Sequence, residues 1–146
     1  MAEVTSFPTD HTELAAFLEA AGSDRLPGLL GIEMIELAKG SCVMRLDVKR
    51  IHEATNGFLH AGTIVTLADT AAGYGTVASL PPGAYGFTTI ELKSNHISTL
   101  NSGGLLARAS IVHGGRTTQV WDAIVTAEAT GKNVAVFRNT QLLLYP

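Results

Sequence analysis

The chain shows two patterns of apolar residues, one typical of helices and one typical of strands. After Asp10, which suits a helix N-cap, apolar residues recur at helical spacing until Gly22. A break at residues 26–28 follows. Residues 32–38 and 41–48 then predict a hairpin, because polar and apolar side chains alternate along its second strand. The first third of the chain therefore predicts one helix followed by one hairpin.

The longest apolar stretch covers residues 59–80 and is rich in small side chains. It predicts a helix that is buried on most of its sides. The rest of the chain predicts four strands joined only by short turns, which is typical of an antiparallel meander. We therefore predict an α+β fold in which an antiparallel sheet wraps around a long central helix. The four predicted strands cover residues 86–97, 104–113, 117–129 and 133–145.

Composition narrows the class of protein further. The 146 residues are 46% hydrophobic and 16% charged, which fits a globular chain with a substantial core and some apolar surface buried in an oligomer. The net charge is −3 and no basic run occurs, so nucleic acid is not an expected partner. The single cysteine, Cys42, excludes an intramolecular disulfide and suits a reducing compartment. We expect a cytoplasmic protein.

Targeting to a membrane is not expected either. Residues 1–4 lack a basic region followed by an apolar core, so the sequence predicts no signal peptide. Residues 59–80 are long enough to span a bilayer, but Asp69 lies at their centre and Gly62, Gly73 and Gly75 interrupt them. These residues are better explained as a helix buried in protein.

One carboxylate lies in the middle of this apolar helix. Asp69 has Val65, Ala72 and Gly73 as close neighbours in the chain. Aspartate is a poor residue inside a helix because its side chain competes for backbone hydrogen bonds, and burial adds a cost of desolvation. A carboxylate placed at such a position is expected to take part in chemistry.

The residues around Asp69 form a pattern with further motifs downstream. His60-Ala61-Gly62 comes first, and Asp69 follows nine residues after the histidine. Three shorter motifs then occur in order, namely Thr89-Ile90-Glu91-Leu92 on a strand, Gly115-Arg116 at a strand start and Gly131-Lys132 in a turn. Over residues 27–145 the chain resembles the hotdog-fold acyl-CoA thioesterases of the phenylacetate-degradation and 4-hydroxybenzoyl-CoA thioesterase type. The resemblance implies a hotdog domain at residues 27–146 after an N-terminal helical segment at 1–26.

The resemblance also implies the chemistry. A helix N-terminus offers free N–H groups, so the N–H groups of Ala61 and Gly62 are candidates to polarise the thioester carbonyl. Asp69 is the candidate base or nucleophile, and Thr89 matches a hydroxyl residue that contributes in relatives.

Two positions of this chain depart from the family pattern. Ala61 replaces a glycine, and Ala54 stands where the family tends to have an asparagine.

Spacing along the helix predicts how the site is assembled. Ala61 and Asp69 are eight residues apart, which separates them by about 12 Å along one helix axis. One thioester carbonyl cannot bridge that separation. Two antiparallel copies of the helix would bring Asp69 of one subunit to the helix N-terminus of the other. We therefore expect a homodimer or homotetramer with a site shared between subunits.

Several candidates keep a simpler structural alternative. His60 is either catalytic or the cap of the helix, Gly62 is a donor or plain helix start, and Asn56 is a water contact or a turn residue. Thr89 is a site residue or an ordinary strand threonine. Arg116 and Lys132 are either contacts to coenzyme A phosphates or solvated turn charges. The histidines show no metal-ligand spacing, so no metal is predicted, and coenzyme A is part of the substrate rather than a cofactor.

Two other functions remain open at this point. One is hydration or dehydration of acyl thioesters on the same fold, although such enzymes usually pair a carboxylate with a histidine in a motif that this chain lacks. The other is a non-catalytic acyl-CoA binding protein, which would tolerate the loss of Asp69. The acyl group itself is not determined beyond an expected aryl or medium-chain thioester.

Overall fold

The computed structural model describes residues 6–146, so the expectation about a signal peptide at residues 1–4 lies outside it. None of the helices in the described part is long and apolar enough to cross a membrane. The helices are α1 (His11–Gly22), α2 (Leu26–Leu30) and α3 (Ala61–Ala78), with a 3-10 turn at Arg50–His52. The strands are β1 (Glu33–Ala38), β2 (Ser41–Val48), β3 (Gly86–His96), β4 (Gly103–Gly114), β5 (Thr118–Ala127) and β6 (Asn133–Leu144).

The strands form one antiparallel sheet in the order β1-β2-β4-β5-β6-β3. The predicted α+β class and the hairpin of β1 and β2 are confirmed. The predicted meander is correct for β4, β5 and β6 but wrong for β3, which pairs with β6 at the far edge. Both sides of β4 are taken by β2 and β5, and residues 97–102 are long enough to lead the chain across the end of the sheet.

Helix α3 lies against the inner face of this sheet, as the apolar pattern predicts. Leu67, Ala68, Ala71 and Ala72 are fully buried between the helix and the strands. The helix is shorter than the predicted range 59–80 because His60 forms its N-cap and the chain leaves the helical conformation at Ser79. The small side chains of α3 let the strands of the sheet pack close to the helix backbone.

The N-terminal helices agree with the prediction at one end and differ at the next element. Helix α1 ends at Gly22, as predicted, and the cap residue Ser23 keeps a right-handed backbone. A side chain at Gly22 would also be crowded, since a Cβ there would lie 2.8 Å from the Tyr74 hydroxyl. The predicted break at 26–28 is a short helix, with Pro27 in its first turn and Gly31 at positive φ after its end.

Helix α1 packs onto the same structure as the rest of the chain. Its Leu14 and Leu18 form a small core with Val77 near the C-terminal end of α3. Asp10 caps α1 by accepting hydrogen bonds from two backbone N–H groups, as predicted. The division into residues 1–26 and 27–146 stays a prediction.

We expect Gly75→Ala to destabilise the fold by about 1–3 kcal/mol, the usual cost of overpacking a core. A Cβ at Gly75 would lie 2.6 Å from the ring of Trp121, which is fully buried and held by a hydrogen bond to Gln119. Urea unfolding measures the loss. The matched control is Gly86→Ala, where a Cβ meets no atom within 4 Å. Equal stability of the two variants would contradict close packing at Gly75.

Candidate active site

Asp69 lies near the middle of α3, half-buried between the helix and β6. Its Oδ1 accepts a hydrogen bond of 2.9 Å from Asn139 Nδ2. Burial raises the pKa of Asp69 above its ordinary value, and the hydrogen bond from Asn139 opposes that rise without cancelling it. The carboxylate is thus more basic than a surface aspartate, which suits a group that accepts a proton.

The start of α3 offers one free backbone donor. His60 is exposed and caps the helix, because its Nδ1 accepts a 2.7 Å hydrogen bond from the Gly62 N–H. The Ala61 N–H, by contrast, makes no hydrogen bond to any other group in residues 6–146. The two predicted donors are therefore not equivalent, and Ala61 is the one available to a ligand.

A second histidine, His52, holds the start of α3 in place from the protein interior. His52 is fully buried, its Nδ1 accepts from the Lys49 N–H at 2.9 Å, and its Nε2 lies 2.8 Å from the Leu30 carbonyl. These two contacts require the tautomer that carries the proton on Nε2. The His52 carbonyl then accepts from the His60 N–H and the Thr63 hydroxyl. In the sequence, His52 is one of the histidines without metal-ligand spacing, and nothing in its neighbourhood indicates this structural role.

Thr89 lies on β3 and is linked to β6 rather than directly to Asp69. Its hydroxyl donates a 2.7 Å hydrogen bond to Gln141 Oε1, its partner in the register of the two strands. Gln141 is two residues from Asn139, on the same inward face of β6. Asp69 and Thr89 are therefore bonded to two successive inward positions of β6, which are Asn139 and Gln141.

Three other candidates lie elsewhere on the surface. Asn56 is exposed, and its side chain accepts from the Phe58 N–H, as a turn residue does. Arg116 precedes β5 and Lys132 follows it, so the ten residues of that strand separate them by about 30 Å. One chain does not bring Arg116 and Lys132 together.

Asn139 and Gln141 are the polar residues that sequence reasoning missed. Both are fully buried, on a strand whose earlier inward positions, Ala135 and Phe137, are apolar. The signal was a break in the alternation, with amides at two successive inward positions of β6. Residues 6–146 contain no group of three side chains that could hold a metal ion.

Known proteins are similar to this chain in sequence and fold. Residues 56–134 match the model of the family described as Thioesterase superfamily. The chain is 36% identical over 112 residues to a 1,4-dihydroxy-2-naphthoyl-CoA hydrolase of Listeria monocytogenes, over 76% of this chain and 89% of the relative. A mutant thioesterase of Pseudomonas aeruginosa superposes with a TM-score of 0.84 at 28% identity, over 90% of this chain and 94% of that one.

A Streptococcus mutans protein, described as bound to acetyl CoA, superposes with a TM-score of 0.72 at 27% identity, over 79% of this chain and 90% of that one. The sheet wrapped around one long helix is the hotdog fold, and in this chain that helix carries a half-buried carboxylate. The chain belongs to the thioesterase superfamily, and it is a thioester hydrolase. The resemblance, the fold class and the enzyme class inferred from the sequence are confirmed.

We expect Asp69→Asn to stabilise the protein at neutral pH, by the 0.5–2 kcal/mol or so typical of relieving a functional constraint. A carboxyl whose pKa is raised by folding loses stability as the pH rises through the window between its unfolded and folded pKa values. The gain should therefore be full above the folded pKa and vanish below the unfolded one. Thermal unfolding across pH measures it.

The control for this prediction is Asp122→Asn on the outer face of the sheet. The pKa of Asp122 is lowered by its hydrogen bond from Arg138, so its ionisation favours the folded state. Replacing Asp122 should give no gain at neutral pH. A gain for Asp122→Asn but not for Asp69→Asn would contradict the electrostatic account of the site.

Proposed function

We propose that the protein hydrolyses acyl-CoA thioesters to a free acid and coenzyme A, in a site shared between two copies of the chain. The observation that carries the proposal is a half-buried carboxylate on α3, Asp69, together with a free backbone donor at the start of the same helix, Ala61. The names of the Listeria and Streptococcus proteins support coenzyme A as the carrier. The acyl group is aryl or medium-chain.

The chemistry follows from these two groups. The substrate carbonyl oxygen accepts from the Ala61 N–H, and the positive end of the α3 dipole stabilises the negative charge that develops on that oxygen. Asp69 either takes a proton from the attacking water or attacks the carbonyl carbon directly. The tetrahedral intermediate then collapses, the carbon–sulfur bond breaks, and the coenzyme A thiolate leaves and takes up a proton. When water is the nucleophile this step releases the free acid. When Asp69 attacks directly, the acyl group remains on Asp69 as a mixed anhydride, which water then hydrolyses to the free acid and the regenerated carboxylate.

The edge of the sheet supports the dimer. Strand β3 is an edge strand of 11 residues, and Ile90 and Leu92 on it are exposed. A long edge strand with exposed apolar side chains invites pairing with another chain, and a second copy is the partner that also supplies a helix N-terminus. Antiparallel pairing of two β3 strands would place the two α3 helices side by side. A homodimer, or a homotetramer of two such dimers, forms in the cytoplasm.

The same symmetry gives the two basic residues a common role. Lys132 lies at the end of the sheet where α3 begins, since β2 ends there and β4 and β5 are in register with it. Arg116 lies at the opposite end. In an antiparallel pair, Lys132 of one copy and Arg116 of the other come to the same end of the dimer. Both can then contact the phosphates of one coenzyme A.

Exposed apolar side chains near the helix start fit the acyl group. Ile51 and Phe58 flank the turn that leads into α3, and both are largely exposed. An apolar thioester would cover them when it binds, which is more favourable than leaving them in water. These side chains support an aryl or medium-chain acyl group over a short one.

We expect Asp69→Ala to lower turnover by about 10²–10⁴-fold, because a general base contributes acceleration of that size. Release of free thiol from a panel of aryl and aliphatic acyl-CoA thioesters measures it, with wild type in parallel. Glu36→Ala changes an exposed side chain on β1, at the opposite edge of the sheet from β3, and serves as the surface control that should retain turnover within a few-fold. Unchanged turnover in Asp69→Ala would overturn the catalytic assignment, and no turnover by wild type on any thioester would overturn the function.

A mixing experiment tests the shared site. Ala61→Pro removes the free N–H at the first helical position, where proline is tolerated, and the extended ψ of 131° at His60 suits a residue before proline. We expect Asp69→Ala and Ala61→Pro each to be inactive alone. Refolding the two variants together should restore about a quarter of wild-type activity, since half of the random dimers regain one of two sites. No recovery would place the site within one chain.

A further inference from the structure

Asn139 stands out among the side chains that surround α3. It is fully buried on β6, opposite Trp121 on one neighbouring strand and Leu92 on the other. Its Nδ2 donates the 2.9 Å hydrogen bond to Asp69, and no other side chain in residues 6–146 makes a hydrogen bond to Asp69. Its Oδ1 is buried without a partner in the same part of the chain.

We propose that Asn139 is the positioning residue of the catalytic carboxylate, which it orients through the Nδ2–H donor. The inference rests on the proposed function of Asp69. An amide buried beside Trp121 and Leu92 with one acceptor unpaired fits its site worse than an apolar residue of similar size. The buried amide of Asn139 becomes favourable when its Nδ2 donates to the ionised carboxylate of Asp69, because a hydrogen bond to an ionised acceptor is stronger than one between neutral groups.

The orientation of the amide follows from the charge on Asp69. With Nδ2 towards the carboxylate, donor meets acceptor, and only Oδ1 is left unpaired. The reversed amide would set two oxygens against each other and leave both N–H donors buried. An ionised Asp69 therefore selects one orientation of Asn139, and Asn139 in turn fixes which carboxylate oxygen stays free to face the substrate.

Few other titratable groups could affect the pKa of Asp69. The buried titratable side chains on elements that pack against α3 are Cys42 on β2 and His52 before the helix, with Tyr74 half-buried on α3 itself. None of the three contributes to the pKa of Asp69, which burial and Asn139 set between them, in that order of size. A change at Asn139 should therefore be visible in the pH dependence of the reaction.

The first test is Asn139→Leu, which keeps the size of the side chain and removes the donor. We expect kcat/KM at neutral pH to fall about 10- to 100-fold, the equivalent of one hydrogen bond to a charged group. The acidic limb of the pH–rate profile should move to higher pH, because the bond that favours the ionised carboxylate is lost. A purely structural role for Asn139 would lower the amount of folded enzyme without moving that limb.

The second test is Asn139→Asp, which also covers the case in which the leucine variant does not fold. Two adjacent carboxyl groups share one proton, and the protonated partner can still donate to Asp69. We expect the singly protonated pair to be active. Activity should therefore fall again as the pH rises and the shared proton leaves, which gives a bell-shaped profile where wild type has a plateau.

The matched control is Gln119→Leu, which removes another fully buried amide, bonded to Trp121 and the Ser79 carbonyl near the far end of α3. It should cost stability without moving the acidic limb. Loss of turnover in Asp69→Ala with wild-type pH profiles in both Asn139 variants would overturn this inference and leave the proposed function standing. Retained turnover in Asp69→Ala would overturn the proposed function itself.

Discussion

The packing of α3 against the inner face of the sheet is the constraint on which the rest of the structure depends. Small residues along the helix let the strands approach until a single Cβ at Gly75 would collide with Trp121. This close packing removes water from one side of the helix, and the removal of water is what raises the pKa of Asp69. The fold thus creates the basicity of its own carboxylate.

The same packing explains which polar groups the interior tolerates. His52 holds the start of α3 through contacts to backbone groups, and Gln119 holds the other end through the Ser79 carbonyl. Asn139 on β6 bonds Asp69 near the middle of the helix, and Thr89 on β3 bonds Gln141, two residues further along β6. The buried polar side chains therefore mark the two ends and the middle of one helix, where apolar packing alone would not set its position along the sheet.

Much of this arrangement could be predicted from local sequence. Strand limits agree with the structure within a few residues because glycine-rich turns bound strands of clear alternation, and Asp69 stood out because it interrupts an apolar helix. The partner of β3 could not be predicted, since strand order depends on contacts between distant segments. Nor could the contact of Asn139 with Asp69, across 70 residues of sequence, or the loss of the Gly62 donor to His60. Local pattern identifies elements, whereas their pairing is a property of the assembled core.

Strand β3 is an edge strand of the sheet and pairs with β6, and this position has a consequence for biosynthesis. β6 follows all the other strands in sequence, yet it is the only strand in the described residues that pairs with β3, and it carries the amide that contacts Asp69. A nascent chain on the ribosome therefore carries β3 with both edges open until β6 has been made. A chain cut before Asn133 would leave the 11 residues of β3 unpaired, so it should aggregate rather than form a weakened enzyme.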